Sequence, residues 1–272
     1  MKNSIYYLSV IVLLTFGCAN TTRVQDVIPN HDNFSLHSSF VKETRVINVW
    51  LPPNYKSGTD AFPVLYMPDG GIKEDFPHIA NSIASLVESN NIPPVILVGI
   101  ENTERGRDLT GFSEVEADAQ YCPLTDGAKN FRAFITEELM LQINTKYRTT
   151  SQKGIIGESL AGLFVMETFL VQPNAFDFYI AMDPSLWWNN HYLEQNASAY
   201  LKAFPNKTKK LWFAGSGVED ISIHTNNLAK TLQSNSPSAL IWKYEDAPNE
   251  KHSTIFRAKK EQALTWIMNL EK

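Results

Sequence analysis

The hexamer Gly157-Glu158-Ser159-Leu160-Ala161-Gly162 constrains this chain more than any other segment. It follows the apolar run Gly154-Ile155-Ile156 and precedes an apolar-periodic stretch reaching Val171, which predicts a strand, a sharp turn and a helix. Such a turn holds its central residue in a strained backbone conformation, so its neighbours must be small for strand and helix to pass closely. Gly157 and Ala161 meet that demand, although the commoner form of the pattern has glycine at both places. Ser159, at the tip, becomes the candidate nucleophile.

The chain begins with Lys2, an apolar run Ile5 to Phe16, and Gly17-Cys18. This reads as the charged, apolar and small-residue regions of an export signal, too short for a comfortable bilayer span. Gly-Cys at its end resembles a bacterial lipobox, with Cys18 diacylated as the new N-terminus. The organisation expected is a signal peptide over 1–17, a polar tether over 18–33 and one catalytic domain over 34–272, placed at the cell envelope or in the periplasm. Removing 17 of 272 residues leaves 255, enough for one large domain. With Lys2 gone the formal charge moves from −5 to −6, and no basic block interleaves with aromatics, so nucleic acid is not an expected partner. The two cysteines are Cys18 and Cys122. With Cys18 lipidated, an internal disulfide is excluded. No Cys/His group has zinc spacing, and neither a metal nor a cofactor is expected.

Short apolar runs alternate with helical patterns along the rest. Strands are expected at Thr44–Leu51, Pro63–Met67, Val95–Ile100, Phe178–Met182, Leu211–Gly215 and Ala239–Tyr244, and helices at Ile79–Val87, Phe131–Tyr147, Asn226–Leu232 and Lys259–Leu270. This is an α/β pattern, a mostly parallel sheet covered on both faces as a three-layer sandwich.

A serine hydroxyl needs a base within hydrogen-bond reach, and the base needs an acid that fixes its tautomer. Three histidines follow Ser159: His191, His224 and His252. His252 lies in the polar loop between the last strand and the closing helix, where the serine-acid-histidine order of α/β-hydrolases delivers its base; His224 is held in reserve. The acid is expected in Gly215-Ser216-Gly217-Val218-Glu219-Asp220, with Asp220 preferred to Glu219 on reach, although either also suits a helix N-terminus. Oxyanion donors are expected from Leu160 and from the turn Asp69-Gly70-Gly71, at Gly70. Trp187 and Trp188, beyond the strand end Met182-Asp183-Pro184, are expected to wall an acyl or alcohol pocket.

Several segments together carry a resemblance: Pro63-Val64-Leu65-Tyr66-Met67-Pro68-Asp69-Gly70, Gly99 to Arg105 with Arg107-Asp108, the helix Phe131 to Tyr147, the hexamer, Pro184-Ser185-Leu186-Trp187-Trp188, and Lys251-His252-Ser253-Thr254. From roughly Arg45 to Leu270 the chain resembles the esterase D and enterochelin esterase-like family of α/β-hydrolases, which also includes feruloyl esterases of cellulosomal type and mycolyltransferases. The resemblance implies the α/β-hydrolase fold, Ser159 as nucleophile, His252 as base, an acid at or beside Asp220, and Gly70 with Leu160 around the oxyanion. Some enterochelin esterases have a weak or displaced acid. Ala161 for glycine, and Asp126-Gly127-Ala128 where many relatives have Gly-Gly-Ala, depart from the family pattern. The activity implied is cofactor-free ester hydrolysis through an acyl-enzyme, declining below roughly pH 6 as the imidazole protonates. Export favours a siderophore lactone or a feruloyl or acetyl polysaccharide ester over cytosolic S-formylglutathione. The alternatives are acyl transfer to a sugar hydroxyl and a non-catalytic surface lipoprotein that binds carbohydrate or siderophore.

Overall fold

The computed structural model describes residues 26–269. The signal and lipidation readings at Lys2 to Cys18 lie outside the described residues. Eight strands form one sheet in the order β1-β2-β4-β3-β5-β6-β7-β8. They are β1 (Asp32–His37), β2 (Thr44–Trp50), β3 (Phe62–Met67), β4 (Ile96–Ile100), β5 (Thr149–Glu158), β6 (Phe178–Met182), β7 (Lys209–Ser216) and β8 (Leu240–Ala247). The pairings β1-β2 and β2-β4 are antiparallel and all others parallel.

Alternation along the central strands separates two apolar cores. On one face Leu65, Met67, Leu97, Ile156, Ile180 and Trp212 pack against α1 (Phe76–Glu88) and α8 (Ile255–Met268) through Phe76, Ile79, Ile83, Leu264 and Ile267. On the other, Tyr66, Val98, Ile155, Tyr179 and Phe213 meet α5 (Leu160–Val171), α6 (Trp188–Lys202), α7 (Glu219–Asn235) and a long helix. The long helix runs as α3 (Gly127–Ala133), a π-turn over Phe134–Leu139 and α4 (Met140–Lys146). A short α2 (Arg105–Leu109) precedes it. Each fully buried large apolar side chain contributes about 1.5–3 kcal/mol, so continuous apolar strands commit this sheet to coverage on both faces. The expected α/β-hydrolase sandwich is therefore the observed fold.

Three local expectations differ. Strand β1 has no apolar run because its side chains are exposed or half-buried at a sheet edge. Helix α6 has little amphipathic patterning and contains three non-helical residues, so periodicity missed it. The part of the expected tether that is described, 26–33, lies against the domain: Asp26 pairs with Arg257, Asn81 Nδ2 donates to Val27 O at 2.8 Å, and β1 begins at Asp32.

The Arg107-Asp108 segment acts as a clamp. Arg45 is fully buried with Nη2 2.6 Å from Asp108 Oδ2, and Arg107 donates to both Asp108 and Glu43. Asp108→Ala would leave the Arg45 guanidinium buried beside Phe131 with Glu43 as its remaining anion. Its expected cost is about 3 kcal/mol, read as a lowered urea midpoint at unchanged m-value.

Candidate active site

Ser159 sits between β5 and α5 at φ 60° and ψ −120°, a strained conformation for a residue with a Cβ. The turn closes because Gly157 has no side chain: a Cβ there would lie 2.6 Å from the Ala161 carbonyl carbon and oxygen and 2.7 Å from Ala161 Cβ. Ala161 is accommodated because it is itself buried in the core below the turn. The Ser159 amide donates to Met182 O at 3.0 Å, tying the turn to the end of β6.

The β8–α8 loop brings His252 to this serine, with Nε2 3.0 Å from Ser159 Oγ. His252 Nδ1 lies 2.6 Å from Oδ2 of Asp183. A carboxylate can only accept, so Nδ1 carries the proton and Nε2 presents a lone pair to the serine hydroxyl. Asp183 stands directly after β6 and is fully buried. Its other oxygen accepts the Ser216 amide at 2.5 Å, and Ser216 Oγ donates to Oδ2 at 2.9 Å. Three donors therefore compensate a charge that burial would otherwise make costly.

The acid beside His252 is thus Asp183, not Asp220. Asp220 and Glu219 are exposed in the first turn of α7, where carboxylates complement the helix dipole and do not reach the imidazole. Gly70 is also corrected as an oxyanion donor: its amide is spent on Ile100 O at 2.9 Å. Its role is close packing, since a Cβ at Gly70 would lie 2.2 Å from Ile100 N. The next amide, Gly71, donates to Glu74 Oε2 at 2.6 Å. Leu160 opens α5, where the first amides of a helix have no partner within it, so its N–H is placed to meet charge developing beside Ser159.

A cavity of about 250 Å³ over the serine is lined by Asp75, His78, Arg105, Glu158, His252 and Arg257, with Ser159, Ser253 and Phe256. Neither Trp187 nor Trp188 lines it. Trp188 is a core residue whose Nε1 donates to Gly111 O at 3.0 Å, and Trp187 packs edge-on against Tyr121 at 5.2 Å. His224, the reserve base, hydrogen-bonds Glu194 instead. Arg105 forms a two-pronged bond with Asp69, Nε to Oδ1 and Nη2 to Oδ2, both at 2.7 Å.

The electrostatics of this rim follow from its crowding. Asp183's hydrogen bond raises the His252 pKa above the ordinary histidine value against the opposing effect of burial, with the charges of Asp183 and Glu158 adding to the rise. Burial pushes the Glu158 carboxyl up to about 7, reinforced by Asp75 and opposed by His252.

Comparisons with known proteins agree with the fold. The family described as "Putative esterase" matches residues 38–272. A ferri-bacillibactin esterase, BesA, of Bacillus subtilis is 30% identical over 176 residues, 56% of this chain and 57% of the relative, so the chain matches little more than half of that protein's length. An apo-salmochelin esterase of Escherichia coli is 24% identical over 82% of this chain and 75% of its own. Among solved structures, an IroE-like serine hydrolase from Shewanella oneidensis superposes with a TM-score of 0.80 at 27% identity, covering 88% of this chain and 80% of the other. With a family model spanning nearly the whole described domain, the chain belongs to the esterase family of α/β-hydrolases, whose enterochelin esterase-like members it resembles.

Proposed function

We propose that this protein is a serine carboxylic-ester hydrolase whose substrate is a siderophore ester and whose triad is Ser159, His252 and Asp183. The observation that carries the reading is the chain of two hydrogen bonds, 2.6 Å and 3.0 Å, from a buried carboxylate through His252 to the serine at the strained turn. His252 Nε2 takes the Ser159 proton as Oγ attacks the ester carbonyl. The imidazolium is held by Asp183, and the Leu160 amide meets the oxyanion. His252 then protonates the departing alcohol, and a water activated by the same imidazole releases the acid from the acyl-enzyme. The siderophore reading is supported by what relatives named for ferri-bacillibactin and salmochelin act on.

The test uses purified protein, a catecholate trilactone with and without ferric iron, a feruloyl ester and p-nitrophenyl acetate. A fluorophosphonate should form one covalent adduct, on Ser159, and the trilactone should give the highest kcat/KM. No adduct on Ser159 together with no turnover of any ester would refute the hydrolase. Turnover of the feruloyl ester alone would refute the siderophore assignment.

The pH dependence follows from His252. The base works neutral, and its folded pKa is raised, so kcat/KM should climb through an apparent pKa above 6.5, higher than the sequence alone suggests. The Glu158 charge contributes to that rise. In Glu158→Gln the acid limb should move down toward 6.5, and an unmoved limb would show that Glu158 is electrostatically silent.

The N-terminal pattern supports an exported, lipid-anchored protein. Cys18→Ser should then shift it from the membrane to the soluble fraction, and a wild type already soluble would refute the anchor.

A further inference from the structure

Away from the serine cavity, α6 and α7 bring together a group of side chains that the proposed hydrolysis does not use. His191, Glu194 and His224 each offer one donor atom, and these atoms lie within 4.8 Å of one another. The imidazoles of His191 and His224 stack with centroids 3.6 Å apart and planes 13° from parallel. Glu194 Oε2 hydrogen-bonds His224 Nδ1, and both side chains are largely buried. Among the described residues, His191 Nδ1 is buried without any hydrogen-bond partner.

The backbone is bent to achieve this. Asn189, Asn190 and His191 have φ of 50°, 49° and 62°, three consecutive left-handed residues at the start of α6. Asp118 Oδ2 accepts the Asn189 amide at 2.9 Å, and Asn189 Oδ1 accepts the Glu114 amide at 3.0 Å, which fixes the kink. The turn carries His191 onto His224, about one helical turn from Glu194.

We infer that His191, Glu194 and His224 form a binding site for a divalent transition-metal ion of the zinc type. Two imidazole nitrogens and one carboxylate oxygen suit Zn²⁺ and its first-row neighbours, whereas Ca²⁺ and Mg²⁺ prefer all-oxygen shells. Metal–ligand bonds of about 2.0–2.2 Å put donors in a tetrahedral shell roughly 3.3 Å apart, so binding requires the two imidazoles to turn out of their stack until their in-plane lone pairs converge on the ion. A cation also gives the buried His191 nitrogen a partner. Three protein ligands leave one position for water.

The ion would fasten α6 to α7. Helix α7 follows β7, whose last residue, Ser216, holds Asp183. None of the three ligands lines the serine cavity, so binding is independent of the esterase reading.

The test is calorimetric titration of the tag-free, chelator-treated full chain with ZnCl₂, with Co²⁺ as a spectroscopic probe. One equivalent should bind, Co²⁺ should show the visible bands of a low-coordinate nitrogen and oxygen shell, and the thermal midpoint should rise with added Zn²⁺. His191→Ala, His224→Ala and the near-isosteric Glu194→Gln should each weaken binding at least about tenfold, with unchanged circular dichroism. Ser159→Ala should bind as wild type. Absence of a saturable equivalent, or wild-type affinity in the folded Glu194→Gln and histidine variants, would overturn the site and leave a stacked histidine pair with one ion pair.

Discussion

Replacing Asp183 by asparagine should lower kcat/KM for ester hydrolysis by about 10⁴ while leaving the fold intact, as removal of the orienting carboxylate does in serine proteases. The reason is the proton on His252. A carboxylate at 2.6 Å admits only the tautomer with hydrogen on Nδ1, which leaves Nε2 free to accept from Ser159. An amide at the same place can donate to Nδ1, driving the proton to Nε2, where it faces the serine and cannot serve as a base. It also removes the charge that stabilises the imidazolium. Because this carboxylate is fully buried and bonded to Ser216, no water or neighbouring acid substitutes for it. Asp220→Asn supplies the contrast. Its exposed carboxylate lies on the first turn of α7, away from the imidazole, so turnover of the variant should stay within about twofold of wild type. Steady-state kinetics of the two variants with a single activated ester decide the matter. Asp183→Asn with more than a tenth of wild-type activity, or Asp220→Asn with the larger loss, would remove Asp183 from the triad.

The pair of acids shows where the sequence is readable. The serine turn is legible because its backbone demands small residues at fixed places, and those demands appear as Gly157 and Ala161 around Ser159. His252 is legible from chain order, since the loop after the last parallel strand opens at the same sheet edge as the turn. The central strands are legible because coverage on both faces produces unbroken apolar runs such as Phe178–Met182. Asp183 gives no comparable signal: one acid followed by proline after a strand reads as an ordinary turn, and its burial arises from β7 and the β8–α8 loop, far away in sequence. Gly70 illustrates the converse. An Asp-Gly-Gly turn looks like a source of loose amides, yet the glycine serves contact with Gly99 and Ile100, and its amide completes a bond to the neighbouring strand. The tryptophan pair fails for a related reason. Sequence places both rings beyond β6, but Trp188 turns into the core, where its Nε1 donates to Gly111 O, and Trp187 packs against Tyr121. The approach of His191 to His224 rests on the kink at Asn189 to His191, which no periodicity encodes.

Ser159→Ala should give the largest loss, about 10⁶ in kcat, with substrate affinity close to wild type. The side chain is small and half-buried, and the alanine Cβ keeps the contacts that hold the turn, so the change removes one reacting atom and little binding surface. The comparable variant at the base, His252→Ala, should lose a similar factor, and the double variant should be no worse than either alone. Serine and imidazole lower the barrier as one unit: an oxygen without its base is a poor nucleophile, and a base without its oxygen has no proton to take. Additive losses in the double variant would mean that His252 and Ser159 act in separate steps, in conflict with their 3.0 Å contact. Residual turnover well above the uncatalysed rate is expected in all three variants, because the Leu160 amide and the walls of the cavity remain in place to bind the ester and meet the oxyanion. Equilibrium binding of an uncleaved siderophore to Ser159→Ala, compared with the KM of the wild type, separates the lost chemistry from any lost recognition.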